Sequence, residues 1–171
     1  DLDRFAPRDR LAMRRKLGIP DMPTLGIVAT LRDWKGHAYL IDAFHALRAR
    51  FPNWQLLIIG DGPQRANLEQ QARRLALGDS IRFVGNQDNV EEWLNALDLF
   101  VLPSYGEEGV PQGIMQAMAC GLAVVSTPVG AIREAVVDGV TGVLVEPRNT
   151  DALAQDLARL MSDENLRRQK G

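Results

Sequence analysis

Residues 103–126 carry the residue types best suited to chemistry. Their sequence, PSYGEEGVPQGIMQAMACGLAVVS, leaves a buried strand, passes through a loop rich in glycine and acid, and opens a helix that leads to another strand. The free backbone N–H groups and the positive dipole end of such a helix N-terminus suit a phosphate. Glu107 and Glu108 lie in the same loop, and carboxylates beside a phosphate-binding turn suit a ligand that also has hydroxyl groups. The segment therefore predicts binding of a nucleotide sugar.

A second candidate lies between the first predicted strand and the first predicted helix, at Lys35 and Gly36. A lysine at this place can neutralise a diphosphate while the N–H groups of the helix add hydrogen bonds. Judged from the residue type alone, a solvated loop lysine is the more common interpretation. Arg32, three residues earlier, is a further candidate for the same phosphates.

The elements that must position these residues alternate along the chain. Short continuous apolar runs, typical of parallel strands covered on both faces, predict strands at residues 24–30, 55–59, 81–84, 97–102, 123–126 and 142–145. Apolar stripes at helical spacing lie between them and after the last strand, where Thr150 is the predicted N-cap. The fold class is therefore α/β, a Rossmann-like doubly wound parallel sheet of about six strands with helices on both faces.

Composition excludes several other classes of protein. The chain has 171 residues, of which 46% are hydrophobic and 25% charged, enough for one core. A net charge of −2 gives no argument for binding nucleic acid. The single cysteine, Cys120, is predicted to be a buried residue in a reduced compartment. His37 and His45 have no third ligand at metal spacing, so we expect no metal site.

Several motifs together carry a resemblance to a known family. Glu108 and Gln116, eight positions apart and followed by AMACGLAVVSTPVG, resemble the E-x7-E region of retaining glycosyltransferases of the GT-B fold, family 4. The segments VATLRDWKGHAYLIDAF, LLIIGDGPQRANLE, IRFVGNQDNVEEWL and DGVTGVLVEPRNTDALA extend it in the family's order. The resemblance covers nearly the whole chain, and it is to the C-terminal, donor-binding half of such enzymes.

The resemblance implies a role for each candidate residue. Glu108 would contact the donor sugar and stabilise an oxocarbenium-like transition state, and Lys35 would neutralise the leaving diphosphate in place of a metal ion. These two are the predicted catalytic residues. Gln116 would face the ribose, and the backbone of residues 83–86 would meet the base through unpaired groups. Ser104 and Tyr105 are interpreted as surface residues. The predicted donor-binding residues are Arg32, Lys35, Gly85, Gly109, Val110, Gln112 and Gln116.

Two departures from the family pattern keep an alternative open. The family's second acid is replaced by Gln116, and Thr30 stands where many relatives carry an arginine. A non-catalytic nucleotide-binding or assembly domain that keeps the half-fold is therefore the alternative function. A dehydrogenase is disfavoured, because the first strand-to-helix turn, TLRDWKG, has no G-x-G-x-x-G pattern.

The resemblance also implies the setting. Residues 1–20 would be an interdomain linker with an entry helix, and residues 21–171 the donor-binding domain, with the N-terminal acceptor domain absent. We expect no cofactor, a nucleotide-diphosphate sugar as donor substrate, and a glycan or lipid acceptor held by the missing domain. The piece alone should be inactive. A role in polysaccharide biosynthesis and a cytoplasmic location follow, with peripheral association of the full-length enzyme at the inner face of the membrane.

Overall fold

The computed structural model describes residues 3–106, 108, 109 and 112–171, which form one six-stranded sheet with flanking helices. All six predicted strands are present, each with ends within two residues of the prediction. The strands are β1 (Thr24–Val28), β2 (Gln55–Ile59), β3 (Ile81–Gly85), β4 (Leu99–Leu102), β5 (Ala123–Ser126) and β6 (Val143–Leu144). The helices are α1 (Arg10–Leu17), α2 (His37–Leu47), α3 (Arg65–Arg74), α4 (Val90–Leu94), α5 (Gln112–Ala119), α6 (Ile132–Ala135), α7 (Thr150–Ser162) and α8 (Glu164–Lys170), with 3₁₀ turns at Asp33–Lys35 and Gly78–Ser80.

The strand order creates a crevice in the middle of the sheet. All pairs are parallel, and the order is β3-β2-β1-β4-β5-β6. The chain leaves β1 toward β2 on one side, and it leaves β4 toward β5 on the other. The order therefore reverses between β1 and β4, and ligands of such sheets bind outside the carboxyl ends of the strands at this switch point.

The core lies on both faces of the sheet, as the continuous apolar strands require. Every residue of β2, β4 and β5 is buried, and Phe44 and Phe100 are among the largest fully buried side chains. Helix α2 packs against α3 and α7, while α4 packs against α1 and α5. Trp54 and Trp93 are also buried, and the prediction that Cys120 is a buried residue is confirmed.

A buried ion pair connects helix α1 to the amino ends of β1 and β4. Arg14 donates from Nε to the carbonyl of Ala96 at 3.0 Å and forms an ion pair with Asp98. Asp98 also accepts a hydrogen bond from the backbone N–H of Thr24 at 2.7 Å, so one carboxylate joins α1, β1 and the segment before β4. Removing either partner would leave the other charge buried without this counter-charge, which would destabilise the fold.

The N-cap prediction for α7 is wrong by one residue. Asn149 has the extended backbone of an N-cap, and its side chain accepts a hydrogen bond from the N–H of Ala152 at 2.9 Å. Thr150 is the first helical residue. Asparagine and threonine are both good N-caps, so residue type alone could not separate the two adjacent positions.

No helix in the described ranges is both long enough and apolar enough to cross a bilayer.

Candidate functional site

An ion pair crosses the crevice between β1 and β4. Lys35, at the end of the 3₁₀ turn after β1, places Nζ 2.9 Å from Oε1 and 3.0 Å from Oε2 of Glu108, in the loop after β4. Only 18% of the Lys35 side chain and 6% of the Glu108 side chain are exposed. The solvated-lysine interpretation is therefore wrong for this residue. The two residues singled out as catalytic candidates meet at the switch point of the sheet.

Ser104 is a third member of this arrangement, and its role was not predicted from the sequence. Its side chain is fully buried, so the surface interpretation is wrong. Oγ lies 2.9 Å from Glu108 Oε2 and 3.0 Å from the carbonyl oxygen of Trp34. A hydroxyl has one proton, and the Trp34 carbonyl already accepts from the N–H of Tyr105 at 2.8 Å, so the carboxylate is the better acceptor. The available signal was a small hydroxyl residue two positions after a buried strand, at the carboxyl end of the sheet.

Trp34 forms one wall of the ion pair. Nζ of Lys35 lies 4.3 Å from the centre of the indole ring, a cation–π contact that favours the charged lysine. Gly106 packs against the same side chain, since a Cβ added to Gly106 would lie 2.8 Å from Cβ of Trp34. Trp34, in the loop after β1, therefore packs against the loop after β4.

Two glycines allow the three loops at the site to approach closely. Gly36 has φ of +86°, and a Cβ there would lie 2.0 Å from the carbonyl oxygen of Pro103. Gly130, after β5, has φ of +52°, and its added Cβ would lie 2.2 Å from the carbonyl oxygen of Glu108. That oxygen accepts a hydrogen bond from the N–H of Ala131 at 3.0 Å. The backbone of Glu108 is thus held from the β5 side, independently of its side chain.

His37 follows directly at the start of α2 and is only 1% exposed. Neither ring nitrogen has a hydrogen-bond partner among the described residues. Burial first, and the positive charge of Lys35 second, lower the pKa of His37 to about 4. The imidazole is therefore neutral at pH 7 and adds no charge to the site. Within the described part of the chain no cluster of three His, Cys, Asp or Glu residues could hold a metal ion.

Among the described residues, no side-chain hydrogen bond or ion pair joins the other residues predicted around the phosphates to the Lys35–Glu108 pair. Arg32 is exposed, and its guanidinium forms no ion pair with any described residue. Gly109 is exposed, and a Cβ added to it would meet no atom of the other described residues within 4 Å. Gln112 is exposed at the start of α5, and Gln116, one turn later, is half-buried. Val110, together with Glu107 and Pro111, lies outside the described residues.

Helix α5 nevertheless starts close to the crevice. A Cβ added to Gly113, its second residue, would lie 3.0 Å from the carbonyl oxygen of Val28, the last residue of β1. The N-terminal turn of α5 therefore lies against the end of β1, whose following loop carries Lys35.

The end of β3 differs from the prediction. The carbonyl of Gly85 accepts from the N–H of Gly60 at 2.8 Å, and that of Val84 accepts from Nε2 of Gln87 at 2.6 Å. These carbonyls are therefore not the unpaired groups expected for reading a base. A cavity of about 190 Å³ opens beside them, at the carboxyl ends of β1, β2 and β3. It is lined by Val28, Ala29, Thr30, Ile59, Gly60, Asn86, Gln87 and Val90.

Comparison with known proteins identifies the family of the chain. Residues 9–171 match the family described as glycosyl transferases group 1. The chain is 33% identical over 168 residues to the N-acetyl-alpha-D-glucosaminyl L-malate synthase of Bacillus anthracis, covering 98% of this chain but 44% of that enzyme. The chain thus spans less than half the length of that relative.

Two solved structures share the fold. The C-terminal domain of the glycosyl transferase LpcC from Francisella tularensis superposes with a TM-score of 0.90 at 32% identity, covering 99% of this chain and 91% of that one. Anabaena Alr3699/HepE in complex with UDP-glucose also gives 0.90, at 28% identity, with 99% of this chain and 48% of that chain covered. The chain therefore belongs to the glycosyl transferases group 1 family and has the fold of the C-terminal domain of a GT-B glycosyltransferase.

Proposed function

We propose that this chain is the donor-binding domain of a retaining, metal-independent glycosyltransferase that transfers a sugar from a nucleotide-diphosphate sugar to a glycan or lipid acceptor. The observation that carries the proposal is the Lys35–Glu108 pair at the switch point. A cation for the diphosphate and an acid for the sugar hydroxyls stand within 3.0 Å of each other, where sheets of this kind bind ligands.

Each group has a distinct role in this proposal. Lys35 balances the charge that develops on the leaving diphosphate, and Arg32, exposed and without an ion pair in the described ranges, turns toward the same phosphates. Glu108 accepts hydrogen bonds from sugar hydroxyls and stabilises positive charge at the anomeric carbon. Ser104 orients the Glu108 carboxylate.

The nucleoside extends from the crevice toward the cavity at the ends of β1, β2 and β3. The base enters between Thr30 and Asn86, and Gln116 on α5 faces the ribose. The Anabaena neighbour, described in complex with UDP and with UDP-glucose, supports a nucleotide in a domain of this shape. Transfer takes place in a full-length protein, cytoplasmic or peripheral at the membrane, whose other domain holds the acceptor.

Gln116 and Thr30 favour a second candidate, a domain that binds nucleotides without transfer, because both replace charged residues of the family pattern. Sugar transfer by the full-length protein from a bound donor would exclude this candidate.

Calorimetric titration of the 171-residue chain with UDP, GDP and ADP tests the proposed site. At least one diphosphate should bind, and Lys35→Ala should weaken it roughly tenfold or more, the loss of a charge-assisted hydrogen bond of about 1.5 kcal/mol. Lys170→Ala, on α8, is the matched control and should have no effect. Absence of binding by all three nucleotides, or an unchanged affinity in Lys35→Ala, would refute the site.

A further inference from the structure

Lys35 has two competing anionic partners in the proposed function. In the structure both carboxylate oxygens of Glu108 lie within 3.0 Å of its Nζ. A bound diphosphate would require the same ammonium group. We propose that Glu108 is a specificity-determining residue, which disfavours a bare nucleoside diphosphate and favours a nucleotide sugar. This inference rests on the proposed function and adds a selection between substrate and product at the same site.

The surroundings of Lys35 make the competition direct. An ammonium group has three N–H donors, and the carboxylate takes the side of Nζ that faces Glu108. The Trp34 ring covers another side at 4.3 Å, and only 18% of the lysine side chain is exposed. Little of the ammonium group is left for a phosphate while the pair is closed.

Glu108 has few other partners once Lys35 turns away. Among the described residues its carboxylate accepts hydrogen bonds from Lys35 and Ser104 alone. A buried carboxylate with a single neutral hydrogen-bond donor has lost its hydration without gaining a counter-charge. The state in which Lys35 has left Glu108 is therefore high in free energy. The hydroxyl groups of a donor sugar supply the missing hydrogen bonds, whereas a bare nucleoside diphosphate has only its ribose hydroxyls, which the proposed function places at Gln116.

The backbone indicates which partner moves. Glu108 is held through its carbonyl by Ala131, through close contact by Gly130, and through its carboxylate by Ser104. Lys35 has a long flexible side chain, the more exposed of the two. We therefore assign Glu108 as the fixed partner and Lys35 as the one that exchanges.

The exchange also favours product release. After the sugar has been transferred, Glu108 no longer accepts hydrogen bonds from its hydroxyl groups and pairs with Lys35 again. Lys35 then contributes less to binding of the remaining nucleoside diphosphate. Because coupling between two sites is reciprocal, occupation of the sugar position strengthens diphosphate binding by the same factor.

The test compares two classes of ligand on one isosteric variant. UDP with UDP-glucose, and GDP with GDP-mannose, are titrated calorimetrically into the wild-type chain, Glu108→Gln and Asp33→Asn. Glu108→Gln should bind the bare diphosphate about fivefold or more tightly than wild type, while the sugar nucleotide gains less. Asp33 is the matched control, since it lies in the same turn as Lys35 but forms no ion pair with it, and Asp33→Asn should leave the ratio of the two affinities unchanged.

Glu108 could weaken diphosphate binding by competing for Lys35 or simply by repelling the phosphate charge. Repeating the titrations in the Lys35→Met variant separates these two effects. In Lys35→Met the gain from adding Glu108→Gln should be smaller than in the wild type, because no ammonium group is left to be released. An equal gain in both backgrounds would overturn the inference, as would a Glu108→Gln variant that binds the bare diphosphate no more tightly. If neither these four nucleotides nor ADP binds the wild type, the proposed function fails together with the inference.

Discussion

The Lys35–Glu108 pair should respond asymmetrically when either partner is removed. Lys35→Met keeps the aliphatic stem but leaves the Glu108 carboxylate, 6% exposed, with Ser104 as its remaining described partner. Glu108→Gln leaves an ammonium group that keeps the Trp34 ring and has a path to water. The lysine substitution should therefore cost more stability.

The geometry sets the magnitude. At 2.9–3.0 Å the gross attraction is about 6 kcal/mol at an effective dielectric constant of about 20. Desolvation offsets part of it, and removing one partner of a buried pair costs roughly 3–5 kcal/mol. We expect about 3 kcal/mol for Lys35→Met, since Ser104 still donates to the carboxylate, and about 1 kcal/mol for Glu108→Gln, close to one ordinary hydrogen bond.

Urea unfolding at pH 7 measures both values. With a slope of about 2 kcal/mol per molar, the midpoints should fall by about 1.5 M for Lys35→Met and 0.5 M for Glu108→Gln. Arg168→Met is the surface control, because its pair with Glu164 is exposed and should be worth less than about 1 kcal/mol. Equal losses for the two site variants, or a larger loss for Glu108→Gln, would refute the reasoning.

Three other variants probe the surroundings of the pair. The pKa of His37 is about 4 in the folded chain and about 6.5 in the unfolded chain, so between these values only the unfolded chain binds a proton there. The free energy of unfolding should therefore fall as the pH drops below about 6.5. Between pH 7 and 5 the wild type should lose about 2 kcal/mol more of this free energy than His37→Leu, measured by urea titration. Gly36→Ala should cost about 3 kcal/mol or more in the same assay, since its Cβ would meet the Pro103 carbonyl, whereas Gly78→Ala, with positive φ but open space, should cost only about 1 kcal/mol. Gln116→Glu should change the free energy of unfolding by less than about 0.5 kcal/mol. It should alter the calorimetric affinity for UDP more than the affinity for 2′,3′-dideoxy-UDP, and equal changes for the two ligands would show that Gln116 does not contact the ribose.

The sheet could be predicted closely because each strand is a short apolar run bounded by turn residues. Residues 55–59 and 123–126 were predicted with the observed ends. The differences lie at strand and helix ends, where neighbouring residues compete for the same role, as Asn149 and Thr150 do at α7. The short α6 and the polar α8 carry too little apolar periodicity to be predicted.

The candidate site was predicted in its residues but not in its contacts. Lys35 and Glu108 each stood out, because each follows a buried strand and has a side chain suited to one part of a nucleotide sugar. Ser104 was missed, since burial of a serine depends on what packs over it. The carbonyls at the end of β3 were expected to be free, but the backbone N–H of Gly60, on another strand end, and the side chain of Gln87 pair with them. Neither partner can be recognised from the local sequence of β3.

The sequence by itself determined the alternation of strands and helices, the glycine-rich loop, and the presence of one cation and one acid at strand ends. Periodicity and turn chemistry act over a few residues, so a local pattern suffices for these features. Only the tertiary structure decided that Lys35 and Glu108, 73 residues apart, share a hydrogen-bonded pair. That contact exists because β4 pairs with β1 on the side opposite β2, which brings the loops after β1 and β4 to the same crevice. Strand order depends on the packing of the whole core, and no local stretch of residues encodes it.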